Sequence, residues 1–133
     1  MERIEWNDGW LTGNKEIDRQ HKNLINILND VINEKENIMT SLNKLIDYTA
    51  DHFFDEEQLM IFYKYPKLEE HVKMHKNFKM YLLDLSFDVI TVKDETNVDR
   101  ITSILREFGF VWFNKHFLEE DKAFINYIHS ASF

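Results

Sequence analysis

Apolar residues recur at steps of three and four along most of this chain, the repeat of helices with one buried face. Leu24, Ile25, Leu28, Val31 and Ile32 form a first stripe, with Asp18 as the expected N-cap. A second runs through Leu42, Leu45, Thr49, His52, Phe53, Glu56, Met60 and Tyr63, with Thr40 as its expected cap and Tyr65-Pro66 as its stop. Leu68, His71, His75, Phe78, Leu82, Leu85 and Val89 make a third. Asn97 is the expected cap of a fourth, which carries Ile101, Leu105, Phe108 and Trp112 and ends near His129. Residues 1–17 hold turn chemistry, Asn7-Asp8-Gly9 and Thr12-Gly13-Asn14, and two tryptophans, Trp6 and Trp10, suited to packing an arm onto the body. The pattern predicts one all-α domain over 1–133: an irregular N-terminal arm over 1–17 and an up-down-up-down antiparallel four-helix bundle over 18–130.

The composition agrees. Three glycines and one proline in 133 residues disfavour a turn-rich β fold. A formal charge of -8 argues against nucleic acid or an anionic membrane as partner. No cysteine is present, so disulfides, thiolate metal sites and thiol nucleophiles are excluded. The opening MERIEWNDGW lacks a basic segment followed by an apolar run, so no signal peptide and a cytoplasmic location are expected. Without a large apolar patch evident in the sequence, a monomer is expected.

The chemistry lies in polar residues on the apolar stripes. Burying an ionisable group without a partner costs several kcal/mol. Yet His52 and Glu56 share a face four residues apart, as do His71 and His75. His21 lies one turn before Leu24 and Leu28, and His116 continues the line of Phe108 and Trp112. One inward histidine is an ordinary hydrogen-bonded core residue. Five, contributed by four helices, would leave many donors and acceptors unsatisfied unless a metal gathers them. His129, near the C-terminal end, reads as a surface residue. Five imidazoles exceed one tetrahedral zinc, and no HExxH is present. Bridging carboxylates with nitrogen ligands and no sulfur suit paired iron. The Glu-x-x-His elements of ferritin-like di-iron sites are absent.

The segments Ile17-Asp18-Arg19-Gln20-His21, His52-Phe53-Phe54-Asp55-Glu56-Glu57, His71-Val72-Lys73-Met74-His75 and Trp112-Phe113-Asn114-Lys115-His116, followed by Asp121, resemble the hemerythrins, in particular the single-domain bacterial members. The resemblance spans essentially the whole chain. It implies two iron ions, cycling between Fe2+ and Fe3+ and joined by an oxo or hydroxo group. His71, His75 and His116 would hold one, His21 and His52 the other, and Glu56 and Asp121 would bridge them. Seven protein ligands then leave one position open, on the iron of His21 and His52, for molecular oxygen or, in the oxidised state, an anion such as azide. Leu24, Trp112, Phe113 and Phe117 would wall that position, the two phenylalanines narrowing it. The implied function is reversible O2 binding for storage, transport or sensing, without catalysis. The alternatives are a di-iron redox enzyme (a peroxidase, oxidase or nitric oxide scavenger) and an iron store or sensor. Asp121 departs from helical geometry: five residues past His116 is about 140° away on a regular helix. Spacing alone selects Glu120; the resemblance selects Asp121, which requires a distorted helix or a long reach. Asp55 and Glu57 are expected to be solvated or capping charges.

Overall fold

A computed structural model describes residues 3–33, 37–92 and 94–130; the side chains of Ile32, Phe113, Asn114, Phe117 and Leu118 lie outside the described set. It is all helical, as the stripes predict. Helix α1 spans Lys15–Ile32, α2 Ile38–Phe62, α3 Leu68–Thr91 and α4 Glu95–Trp112. A π-helical segment, Phe113–Asp121, and a final helix α5, Lys122–Ser130, extend α4 into one long fourth rod. Helices α1 and α2, α2 and α3, α3 and α4, and α4 and α1 pack side by side, closing the ring of an antiparallel bundle. None of the helices is long and apolar enough to cross a membrane among the described residues.

Three helices begin earlier than the sequence suggests, because a nearer polar side chain caps each. Asn14 accepts from Ile17 N and opens α1, so the irregular arm ends at residue 14 rather than 17. Asn37, not Thr40, caps α2. Asp94 accepts from Asn97 N at the start of α4, while Asn97 donates to the carbonyls of Asp88 and Val92 and ties α4 to the end of α3. Asp18, the expected cap of α1, instead accepts from Thr12 N and Thr12 Oγ1 and pins the arm. Farther out, Asn29 clamps the Ile4 backbone through two hydrogen bonds, and Trp6 and Trp10 pack against the core.

Helix α2 ends before Tyr65-Pro66. Lys64 turns into the left-handed region at φ 55°. Tyr65 N donates to Met60 O and Lys64 N to Ile61 O, the paired bonds of a Schellman motif. Tyr65 then packs beside Met60 and Phe124 in a small cluster at this end of the bundle. The main core lies at the other end, around Leu28, Leu42, Leu82 and Leu105. Gly109 on α4 lies so close to α1 that a β-carbon there would meet Leu28 Cδ2 at 3.1 Å.

Candidate metal centre

Between the two apolar clusters the stripes turn polar. His52 and Glu56 come from α2, His71 and His75 from α3, His21 from α1, and His116 and Asp121 from the π segment. All seven are at most 3% exposed, and the five imidazoles turn Nε2 inward.

The two carboxylates each face both ways. Glu56 Oε1 lies 2.6 Å from His71 Nε2, 3.3 Å from His75 Nε2 and 3.8 Å from His116 Nε2. Glu56 Oε2 lies 3.3 Å from His21 Nε2 and 3.4 Å from His52 Nε2. Asp121 Oδ1 is 3.3 Å from both His71 and His116, and Asp121 Oδ2 is 3.3 Å from His21. Two overlapping donor sets result: Glu56, His71, His75 and His116 in one, and His21, His52, Glu56 and Asp121 in the other.

The π segment explains Asp121. Its hydrogen bonds span five residues, so residue i+5 returns to the face of residue i. His116 and Asp121 therefore point together, and Glu120 is left partly exposed at the surface. The spacing carries a trace of this: inward positions fall at 112, 116, 121 and 125, with one step of five among steps of four.

The sequence profile of the hemerythrin HHE cation binding domain matches residues 12–128. The chain belongs to the hemerythrin family. It is 30% identical to the bacteriohemerythrin of Pseudomonas paraeruginosa over 99% of this chain and 86% of that one. It is also 25% identical to the bacteriohemerythrin of Clostridium acetobutylicum, over 91% and 98%. Similarity to the myohemerythrin of Theromyzon tessulatum, 30% identical, covers 58% and 63%.

The donor chemistry of this hemerythrin-family site fits bound metal. Both oxygens of Asp121 and Nε2 of His52 are buried without a hydrogen bond, an arrangement costly in a core and natural for ligands. Without metal, the charge within the cluster is balanced among its own imidazoles and carboxylates. Burial opposes charge on His21 and His71, but the Asp121 and Glu56 carboxylates outweigh it and raise them to about 9 and about 10. Burial pushes His52 down to about 3 and His116 to about 4. Burial also disfavours charge on Glu56 and Asp121, yet the surrounding imidazoles hold both below the ordinary carboxylate range, Asp121 at about 2.

The outer nitrogens show what local spacing misses. His75 Nδ1 donates to Glu57 Oε2 at 3.1 Å, and His52 Nδ1 donates to Gln20 Oε1 at 3.1 Å. Gln20 Nε2 in turn donates to Asp55 Oδ2 at 2.6 Å. Glu57 and Asp55 are thus not idle charges; each orients a ring, Asp55 through Gln20. Phe53, which its spacing marks only as a core residue, also belongs to the site. Its ring stacks on His75 at 3.8 Å and lies 6.0 Å from His116. Of the four expected wall residues, Trp112 stacks on His116 at 4.5 Å and Leu24 is buried in the main core. The side chains of Phe113 and Phe117 lie outside the described residues. His129 is exposed, as expected.

Proposed function

We propose that His71, His75 and His116 hold one iron ion, that His21 and His52 hold a second, and that Glu56 and Asp121 bridge them in a protein that binds O2 reversibly. The observation that carries this reading is the two-way orientation of both carboxylates between a three-imidazole and a two-imidazole set. Iron would supply reversible electron exchange with O2, which no side chain here provides.

The residues set the conditions. Three imidazoles on one side and two on the other leave the His21 and His52 side one donor short, and O2 is assigned there. Burial of all seven side chains keeps bulk water away. Phe53 and Trp112 add an aromatic shell against the rings. Glu57 and the Gln20–Asp55 pair engage outer ring nitrogens rather than the inner face. A catalyst needs a positioned acid or base at the reacting position; Glu56 and Asp121 are taken up as bridges, and the other acids described near the rings, Glu57 and Asp55, lie on their outer side, which favours a carrier over an enzyme. The bacteriohemerythrins and myohemerythrin among the relatives support the same reading.

The test is an optical titration. Protein loaded anaerobically with ferrous iron should bind two irons per chain. A visible band should grow with O2, vanish under argon and return over repeated cycles. Irreversible bleaching, or turnover of an added reductant, would assign the centre to redox catalysis instead.

A further inference from the structure

The outer face of α3 exposes apolar side chains to solvent. Met80, Leu83, Phe87 and Ile90 are 52%, 42%, 68% and 56% exposed. Their steps of three, four and three residues put them within an arc of about 80°, opposite the core residues Phe78, Leu82, Leu85 and Val89. This is the a/d spacing by which one helix seats against another. A contiguous apolar stripe on a monomer marks an interaction surface, and its presence removes the ground on which a monomer is expected from the sequence.

We propose that this stripe is the contact surface of a homodimer in which α3 packs antiparallel against α3 of a second copy. Charge selects both partner and direction. Residues 73–79 carry Lys73, Lys76 and Lys79 and no acid. Residues 84–99 carry Asp84, Asp88, Asp94, Glu95 and Asp99 against the single Lys93. Parallel pairing would set like charges together; antiparallel pairing sets the basic segment 73–79 of each copy against the acidic C-terminal end of α3 and start of α4 of the other, twice by symmetry. The register that buries all four apolar residues pairs Met80 with the copy's Ile90 and Leu83 with the copy's Phe87.

A cavity agrees with this register. Beside Ile90, Met39, Val89 and Val98 wall a hollow of about 640 Å³ rimmed by Asp94, Glu95 and Asp99. Such a site suits an occupant with an apolar end and a positive charge. The register delivers one: Met80 and Lys76 of the second copy reach this end of the helix. The paired strip is on the order of 30 Å long and one helix wide, less than the roughly 800 Å² per partner of a standard interface, so the dimer dissociates on dilution.

Sedimentation velocity of the full chain across a wide concentration range tests this. The expected result is a shift from 16.2 kDa toward twice that mass. Leu83→Glu/Phe87→Glu should raise the dissociation constant at least roughly tenfold, with the helical circular dichroism and melting unchanged. Lys76→Glu and Asp94→Lys should each weaken the dimer, and the double variant should restore it. The absence of cysteine allows a direct check of direction. Met80→Cys mixed with Ile90→Cys should form a disulfide-linked pair under mild oxidation, and neither variant alone should. A monomer at every concentration, a dimer that survives the double glutamate variant, or efficient cross-linking of Met80→Cys to itself would overturn the proposal.

Discussion

Two acids beside Glu56, Asp55 and Glu57, show where residue-level reading stops. Glu57 follows Glu56 directly, so helical periodicity on α2 turns it away from the stripe and assigns it to solvent. Its partner, His75, belongs to α3, and a contact between helices leaves no trace in the spacing of either one. Gln20 and Asp55 escape notice in the same way, being 35 residues apart. The five inward histidines are legible because each breaks an apolar stripe within its own helix. An acceptor on the outer nitrogen fixes the tautomer and sharpens the ring's aim, and its loss typically costs 10–100-fold in metal affinity. Glu57→Leu should therefore weaken iron on the His75 side by roughly that factor, and Gln20→Leu on the His52 side likewise. Anaerobic competition with a chromogenic ferrous chelator measures both, and unchanged affinity in both variants would leave the outer contacts without a role in holding metal.

At the scale of elements, all four rods are readable from periodicity, and their boundaries are not. Asn14, Asn37 and Asp94 each precede a second plausible cap, and choosing between them depends on what else the competitor can reach. Asp18, for instance, is occupied by Thr12. The π segment is legible only as an anomaly in Asp121, since one extra residue per turn has no strong local signature. The α2–α3 turn is a further case, because it places a lysine in a conformation that ordinary side chains resist. A non-glycine residue in the left-handed region costs about 1–2 kcal/mol, while glycine's extra freedom in the unfolded chain returns part of that. Lys64→Gly should thus gain up to about 1 kcal/mol, read as a higher urea midpoint at constant slope. A loss of stability would mean that the lysine side chain contributes more than its backbone strain. The arm gives the opposite sign. Asn29→Ala removes both hydrogen bonds to Ile4 and leaves buried backbone groups unpaired, at about 1–3 kcal/mol. Amide exchange should accelerate first at Ile4.

For the whole molecule, the cluster joins folding, protons and metal. Consider first the metal-free protein. His21 and His71 have folded values of about 9 and about 10 against an ordinary 6.5. The folded state holds their protons more tightly, so their contribution is complete below pH 6.5 and is lost as pH rises through 9 and 10. His52 and His116, lowered to about 3 and about 4, act in the other direction. Below pH 6.5 the unfolded chain takes up protons that these buried rings refuse, and stability falls. Glu56 and Asp121, held low by their imidazoles, stabilise the fold above the ordinary carboxylate range and lose that contribution as pH drops through their lowered values. Metal-free stability should therefore peak near pH 6.5, falling below it as the unfolded chain takes up protons and falling above it until pH passes about 9 and about 10. Iron needs neutral imidazoles, so loading near neutral pH should expel the protons of His21 and His71. The alkaline decline is then removed at its source, and the acid side becomes steeper because protons now compete with metal. Urea unfolding of metal-free and iron-loaded protein from acid to alkaline pH, with proton release followed by an indicator dye during anaerobic loading, tests the linkage. Superimposable pH profiles, or loading without proton release, would show that the two charged imidazoles are not where the metal binds.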